Sequence, residues 1–261
     1  MRIATWNVNS IRPRMEQLTS WLVRARPDVV CLQETKVEDE KFPESDLGDA
    51  GYKATYIGQR TYNGVAILTR FGVPIDDVKR NLDGDPSDEH KRAIAATIDG
   101  VRVVNVYVPN GQELDAPAYE YKLAWLSRLK QELSPFASSG APLIVCGDFN
   151  VAPEAIDVHN PKKWDKTVLF HESIRQKLAD VMSIGLVDAF RVKHPEAKEF
   201  SWWDYRMGAY KRNWGLRIDL ALVTPSLMSR VTDVRIDRTP REQERPSDHT
   251  PVIVDVDEPA P

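Results

Sequence analysis

The sequence is poor in cysteine: among 261 residues only Cys31 and Cys146 occur, each inside an apolar run. Two thiols cannot supply the disulfide framework of a small secreted domain, so we predict that both are buried as small apolar residues. They cannot form a zinc-thiolate site alone, because such sites take four ligands and no histidine pair lies nearby at ligand spacing. The sequence therefore excludes a disulfide scaffold and a thiolate metal centre.

The sequence also lacks a long apolar run and a strong excess of one charge. No stretch approaches the length of a membrane span, and residues 1–10 contain Asn and Thr where a signal peptide would be apolar. We therefore expect a cytoplasmic protein with no membrane partner. The 35 basic residues are balanced by 39 acidic ones, which gives a net charge of −4. This balance does not indicate a nucleic-acid partner, although a local basic stripe could still bind one.

Strand and helix patterns fill most of the remaining sequence. Apolar or alternating runs predict strands at residues 2–8, 29–32, 52–57, 64–69, 93–98, 101–108, 143–146, 218–223 and 251–256. Helical periodicity predicts a helix capped by Ser10 and stopped by Pro27, and further helices at residues 119–133 and 174–182. Hairpins and helical crossovers both occur. We predict an α/β fold with mixed sheets packed face to face and flanked by helices, as one domain over residues 1–261.

Two polar residues follow the apolar run at residues 143–146. Asp148 and Asn150 are two positions apart, so their side chains leave the same face of an extended backbone. Ligand crevices of open α/β sheets usually lie at this carboxyl end of a core strand. A carboxylate placed there needs a metal, a cationic partner or a reaction to compensate its burial. A solvated turn is the alternative interpretation, since Asp and Asn are common turn residues.

Six segments place acidic or amide groups directly against predicted strands. If the strands share sheets, these groups converge on one rim, where several buried carboxylates would require a cation. The ligand types are hard oxygens, which Mg²⁺ or Mn²⁺ prefers over zinc or copper. The residues concerned are Asn7, Glu34, Asn110, Asp148 with Asn150, Asp219, and Asp248 with His249.

Read with its local context, this set resembles the exonuclease III family of apurinic/apyrimidinic endonucleases, within the wider endonuclease/exonuclease/phosphatase superfamily. The resemblance spans most of the chain, with the motifs in family order. It implies a four-layer α/β sandwich, with two mixed β-sheets packed face to face and helices on the outer faces. The matching segments are residues 5–9, 32–36, 107–111, 147–153, 200–206, 216–219 and 247–251.

The resemblance also implies a metal site. Glu34 is expected to be the principal Mg²⁺ ligand, with help from Asn7 and from Asn9, and Asp248 is a candidate at a second position. Some family members have Asp where this chain has Asn9, so the metal shell here carries one charge less. The expected metal-site residues are Asn7, Glu34, Asp148, Asn150, Asp248 and His249.

Catalytic roles follow from the same resemblance. His249 is expected to contact the scissile phosphate, with Asp219 holding the ring and favouring its protonated form. Asp148 is expected to orient or deprotonate the attacking water, and Asn150 to position that water. Tyr107 is expected to donate to the phosphate, or to bind near it as a phenolate. The other histidines, His90, His159, His171 and His194, are interpreted as ordinary surface or core residues.

DNA contacts are implied by other matching positions. Trp202 and Leu216, with Phe200 nearby, match the apolar residues that line the pocket for an extruded, baseless deoxyribose. Because alternate strand residues face opposite ways, one of Trp202 and Trp203 is expected to be core. The residues expected to contact DNA or the abasic site are Arg12, Lys36, Asn110, Asn160, Trp202, Tyr205 and Leu216.

The sequence therefore predicts a Mg²⁺-dependent DNA repair endonuclease that hydrolyses the phosphodiester 5′ to an abasic site. Exonuclease activity from 3′ to 5′ and 3′-phosphodiesterase activity are possible additions. The expected partner is double-stranded DNA with abasic sites or blocked 3′ ends, and the expected state is a monomer. One alternative keeps the scaffold but changes the substrate to a phosphoinositide, a sphingolipid or RNA. Another is a non-catalytic DNA-binding module, which would not need several buried carboxylates.

Overall fold

The structure is a computed structural model that describes residues 1–83 and 89–258. Its strands are β1 (Arg2–Asn7), β2 (Val29–Gln33), β3 (Tyr52–Ile57), β4 (Val65–Arg70), β5 (Asp76–Arg80), β6 (Ala93–Ile98), β7 (Val101–Tyr107), β8 (Leu143–Asp148), β9 (Val187–Asp188), β10 (Asp219–Val223), β11 (Val231–Ile236) and β12 (Val252–Val256). Its helices are α1 (Met15–Ala25), α2 (Glu44–Asp49), α3 (Pro117–Ser138), α4 (Pro161–Trp164), α5 (Glu172–Met182), α6 (Ala189–Lys193) and α7 (Pro225–Met228).

The described strands form two six-stranded mixed sheets. The first sheet has the order β11-β12-β1-β2-β4-β3, and the second has the order β5-β6-β7-β8-β10-β9. Each contains one parallel pair, β1 with β2 and β7 with β8, among antiparallel neighbours. A parallel pair requires a crossover connection, and α1 and α3 supply the two crossovers. The prediction of mixed sheets is confirmed.

The layers follow from the alternation of side chains along each strand. Val103 and Ile144 of the second sheet pack toward the first sheet, in a cluster that includes Cys31. Val104 and Val145, one position further along, pack instead against the helical layer of α3 and α5. The outer face of the first sheet is covered by the apolar side of α1. Helix, sheet, sheet and helix thus form the predicted four-layer sandwich.

The helix boundaries differ from the sequence prediction in two places. Ser10 does not cap the first helix: it has a φ of 83°, and α1 begins at Met15 after a 3₁₀ turn, with no side-chain cap. The third helix is longer than predicted and continues through Pro135 to Ser138. Residues 151–170, whose pattern shows little periodicity, contain a 3₁₀ turn and the short helix α4. The strands β5, β9 and β11 were not predicted.

No helix within residues 1–83 and 89–258 combines the length and the apolar character that a bilayer crossing requires. Cys31 and Cys146 are buried, as expected, and both remain free thiols.

Candidate active site

The carboxyl ends of β1, β2 and β8 meet at one edge of the two sheets. Asn7 ends β1 and bridges to the other sheet: its Nδ2 donates to Glu34 Oε1 at 2.7 Å and to Asp148 Oδ2 at 2.9 Å. On the second sheet, Asp148 lies beside Tyr107 in the parallel register and opposite Asp219 in the antiparallel register. The topology thus brings together groups that are far apart in the sequence: Asn7 and Asp148, for example, are separated by 141 positions.

Glu34, Asp148 and His249 form a group that could hold a metal ion. One ligand atom from each lies within 4.8 Å of the other two. The carboxylate oxygens of Glu34 and Asp148 match the hard-oxygen preference of Mg²⁺ and Mn²⁺, whereas Asn7 directs its Nδ2 and not its oxygen toward them. Glu34 also has a φ of 52°, a conformation that non-glycine residues seldom adopt and that is common at functional sites. The donor set therefore fits a hard divalent cation.

His249 and Asp219 form a buried pair. The two Asp219 oxygens lie 2.9 and 3.1 Å from His249 Nδ1, and both side chains are almost fully buried. Burial by itself would lower the pKa of His249, but the charges of Asp219 and Asp148 outweigh it and raise this pKa to about 10. The ring is therefore protonated at neutral pH. In this protonated form the imidazole donates through both nitrogens, so the two carboxylates are the stronger metal candidates of the group.

Asp148 lies at the centre of the site. Burial raises its pKa to about 7; the charge of His249 acts in the opposite direction, and Asp219 and Glu34 raise it further. His249 Nε2 is 3.7 Å from Asp148 Oδ2. A carboxyl with a pKa near neutrality can exchange a proton with water at physiological pH. The geometry and the electrostatics together suit a group that handles the proton of a nucleophile.

Tyr107 stands at the end of β7 with its hydroxyl toward this cluster. Its pKa is raised well above the usual value, first by burial and then by the charges of Glu34 and Asp148. Arg92 lies over the other side of the ring, with its guanidinium carbon 4.7 Å from the ring centroid. The neutral phenol is the form that this environment favours, so Tyr107 is a hydrogen-bond donor here and not a phenolate.

Asn110 and Asn150 lie beyond the carboxyl ends of β7 and β8 and are hydrogen-bonded to each other. Asn150 has a φ of 51°, and its Nδ2 donates to the Val108 carbonyl at 3.0 Å. Asn110 Nδ2 in turn donates to Asn150 Oδ1 at 3.1 Å. The ammonium group of Lys122 lies beneath both residues.

Lys122 is a functional candidate that the sequence analysis missed. It is fully buried, and its Nζ donates to the carbonyls of Asn110, Asn150 and Val168 at 3.0, 2.7 and 2.7 Å. Burial lowers the pKa of Lys122 to about 7, but three acceptors match the three donors of the ammonium form. A lysine three positions after Tyr119, on the apolar face of the predicted helix, was the available signal.

Asp248 does not join the Glu34 group. Its two carboxylate oxygens accept from Asn9 Nδ2 and Trp202 Nε1, each at 2.9 Å. Lys36 Nζ donates to Asn9 Oδ1 at 2.7 Å and lies at the same distance from Glu34 Oε2. Asp248 and Lys36 thus flank the cluster on the side of Asn9.

Other predicted DNA contacts lie around this edge. Arg12 is exposed and donates to the Lys41 carbonyl, Tyr205 is half exposed, and Asn160 directly precedes α4. Trp203 is fully buried, so it is the core member of the tryptophan pair, as expected.

Leu216 differs from the expectation. It has no exposed surface and packs in the core under the second sheet, paired through its backbone with Trp202. It therefore supports the partly buried Trp202 and does not line an open pocket itself.

Comparison with known proteins shows similarity along almost the whole chain. The sequence matches the model of the Endonuclease/Exonuclease/phosphatase family over residues 4–249. Exodeoxyribonuclease III of Haemophilus influenzae is 34% identical, over 97% of this chain and 98% of that protein. An AP endonuclease from Archaeoglobus fulgidus has a similar structure, with a TM-score of 0.95 and 43% identity over 99% of this chain and 100% of that one. The 3′ phosphatase NExo from Neisseria, bound to a product DNA hairpin, has the same TM-score with 40% identity and the same coverage.

Proposed function

The chain belongs to the endonuclease/exonuclease/phosphatase family, and on that premise we propose that it cuts DNA on the 5′ side of abasic sites with Mg²⁺ as cofactor. It is a DNA repair nuclease, a phosphodiester hydrolase of the exonuclease III and AP endonuclease type. The single observation that carries the proposal is the convergence of Asp148, Glu34 and the His249–Asp219 pair on one edge of the sandwich.

The reaction replaces one phosphorus–oxygen bond by another. Asp148 orients the attacking water and accepts its proton, and Asn150 fixes the position of that water. Protonated His249 donates to a non-bridging phosphate oxygen, where negative charge builds up, and Asp219 keeps the ring charged and oriented. The bond to the 3′ oxygen breaks, and this oxygen takes up a proton and leaves as a hydroxyl. Tyr107 donates a further hydrogen bond to the phosphate.

Mg²⁺ would be held by Glu34, with Asn7 and Asp148 beside it, and Mn²⁺ is the expected substitute. When bound, the ion supplies Lewis-acid stabilisation of the developing phosphate charge. Asp248 is the candidate for a second position. The ammonium group of Lys36 already balances part of the charge of Glu34. A metal ion that binds Glu34 would exchange with this ammonium group.

We assign selection of the abasic site to Trp202, at the edge that contains the catalytic residues. The ring of Trp202 lies 6.5 Å from that of His249, centroid to centroid, so a sugar against the tryptophan would stand next to the catalytic pair. A nucleotide without a base loses little stacking when it leaves the helix, so a small apolar surface can select it by shape. Arg12, Lys36, Asn110, Asn160 and Tyr205 are proposed contacts to the DNA. We further propose that the protein is a cytoplasmic monomer.

Activity at 3′ ends is a second candidate function. One neighbour is described as a 3′ phosphatase and, in a second structure with 41% identity, as a 3′-5′ exonuclease, while another is an AP endonuclease. The similarity is nearly equal in all cases, which favours 3′-5′ exonuclease and 3′-phosphodiesterase action on blocked ends in addition to incision.

The test is a labelled duplex with one abasic analogue, incubated with Mg²⁺ or with EDTA. Incision 5′ to the analogue with Mg²⁺ only is the expected result, and a matched duplex with a blocked 3′ end measures the second activity. Asp148→Asn should lose at least about a hundredfold in incision rate while DNA affinity is retained. Absence of incision under both conditions would remove the proposal, and wild-type rates in Asp148→Asn would remove its assigned role.

A further inference from the structure

Ser201 lies behind the catalytic pair, at the point where β10 begins. It has no exposed surface, and its hydroxyl oxygen accepts from the backbone N–H groups of Ile218 and Asp219, each at 3.1 Å. The neighbouring strand β9 is registered with the last two residues of β10, near the other end of the strand. Because buried amides need an acceptor, the serine hydroxyl takes the place of a strand neighbour at the first residue of β10.

The backbone of Ser201 is bonded to the segment that contains His249. Its carbonyl accepts from the N–H of Thr250, which directly follows His249, at 2.8 Å. An isolated β-bridge joins the next residue, Trp202, to His249. Ser201 is therefore hydrogen-bonded both to Asp219 and to the neighbour of His249, although these two catalytic residues come from distant parts of the sequence.

The pair itself depends on a narrow geometry. Both oxygens of Asp219 lie close to His249 Nδ1, at 2.9 and 3.1 Å. On its other side, Asp219 is registered with Asp148 of β8. Without the serine hydroxyl, the first residue of β10 would be held from the β8 side alone. A hydrogen bond weakens steeply as its angle and distance change, so a small shift of this backbone would weaken the bond to the imidazole.

We propose that Ser201 is a positioning residue of the hydrolytic reaction, whose hydroxyl keeps Asp219 at hydrogen-bond distance from His249. The inference rests on the proposed function, in which protonated His249 donates to the phosphate and Asp219 orients the ring. Ser201 is fully buried, so it acts through Asp219 and has no contact of its own with the substrate.

The first test compares rates in two backgrounds. Ser201→Ala removes the acceptor of both N–H groups, so the single-turnover rate of incision at an abasic analogue should fall at least about tenfold. Affinity for the duplex in EDTA should stay within about twofold of the wild type. When Asp219→Asn is already present, adding Ser201→Ala should change the rate by less than about twofold, because residues that act through one contact are not additive.

Thr224→Val is the matched control at the other end of the same strand. Thr224 directly follows β10 and is 2% exposed; its hydroxyl accepts from the Leu143 N–H at 3.0 Å and donates to the Ala141 carbonyl at 3.1 Å. It is thus also a buried hydroxyl with two backbone partners. Thr224→Val should lower the urea midpoint about as much as Ser201→Ala and leave the incision rate at the wild-type value.

A second test needs neither DNA nor metal. In EDTA, NMR of the ¹⁵N-labelled protein detects the proton between His249 Nδ1 and Asp219, and the absence of the signal in Asp219→Asn identifies it. The signal should shift or disappear in Ser201→Ala and keep its position in Thr224→Val. If Ser201→Ala does not fold, Ser201→Cys retains a weak acceptor and should give an intermediate rate and an intermediate shift.

The outcomes separate this inference from the proposed function. A wild-type rate in Ser201→Ala, or a tenfold loss that persists in the Asp219→Asn background, would overturn the positioning role. An equal loss of rate in Thr224→Val would show that any buried hydroxyl of this strand has the same effect, and would also overturn it. If the wild type does not incise the abasic duplex, the proposed function fails, and an unshifted NMR signal in Ser201→Ala would then reject the positioning role independently.

Discussion

The charge of Asp219 determines the protonation state of His249. His249 is 4% exposed and would be neutral in an apolar interior, but Asp219 lies 2.9 Å from its Nδ1. Asp219→Asn keeps the shape and removes the charge, so the ring should lose both its proton and its fixed orientation. We expect the single-turnover incision rate to fall at least about a hundredfold, with DNA affinity within a few fold of the wild type.

The matched control is Asp233→Asn, which removes a carboxylate that pairs with Arg235 on the edge strand β11, far along the sheet from the site. Its rate should equal that of the wild type. A rate near wild type in Asp219→Asn would mean that the proton on His249 does not depend on this partner.

For single residues, the sequence predicted which residues belong to the site better than it predicted their contacts and burial. The alternation Asp148-x-Asn150 after an apolar run, and the type of each acid, were enough to indicate a site. The sequence could not show that Asn7 bridges Glu34 and Asp148, because that contact depends on how two sheets pack. It also could not show that Leu216 is fully covered, since a pattern gives the direction of a side chain but not what covers it.

At the scale of elements, α3 does more than connect β7 to β8. Lys122 of this helix donates hydrogen bonds to the carbonyls of Asn110 and Asn150, which lie in the segments that follow these two strands. It also donates to the carbonyl of Val168 and so joins a third segment. Lys122→Met keeps the apolar stem and leaves three carbonyls without their donor. We expect the free energy of unfolding in urea to fall by about 3 kcal/mol, at about 1 kcal/mol for each lost bond. The incision rate of the folded variant should fall at least about tenfold because Asn150 shifts.

Lys130→Met is the control on the same helix. Lys130 pairs with Asp180 near the surface, so its loss should cost less than about 1 kcal/mol and leave the rate unchanged. Equal losses in the two variants would show that Lys122 contributes only as an ordinary charged residue of the helix.

Element boundaries were predictable where the pattern is periodic and not where tertiary contacts decide. Strands β2, β6 and β10 begin or end within about two residues of their predicted positions, because buried apolar runs define them. The start of α1 was wrong: Ser10 donates its backbone N–H to the Glu34 carbonyl, and this contact with a distant segment overrides the local capping preference. Strand β11 was not predicted because it contains half-exposed polar positions and therefore shows no clear strand pattern in the sequence.

At the scale of the molecule, the two sheets must stack in one particular register for the site to exist. A buried polar network fixes this register: Asn105 of β7 donates to the carbonyls of Leu32 and Ala66 in the other sheet, at 2.9 and 2.8 Å. Gln33 Nε2 donates to Asn105 Oδ1 at 2.7 Å, and Gln33 directly precedes Glu34. The sequence predicted that two sheets face each other, but a single asparagine inside an apolar strand gave no partner for this contact.

Asn105→Leu therefore tests how the sandwich places its metal candidate. The change removes three buried hydrogen bonds, two to carbonyls and one from Gln33 Nε2, so the free energy of unfolding should fall by about 3 kcal/mol, at about 1 kcal/mol for each bond. Gln131→Leu, an exchange on the exposed side of α3, should stay within about 0.5 kcal/mol of the wild type. Because Glu34 directly follows Gln33, a shift of Gln33 should also move Glu34. The folded Asn105→Leu variant should therefore need more Mg²⁺ for half-maximal incision. If its Mg²⁺ requirement matches that of the wild type although stability is lost, the network holds the sheets together without setting the position of Glu34 relative to Asp148.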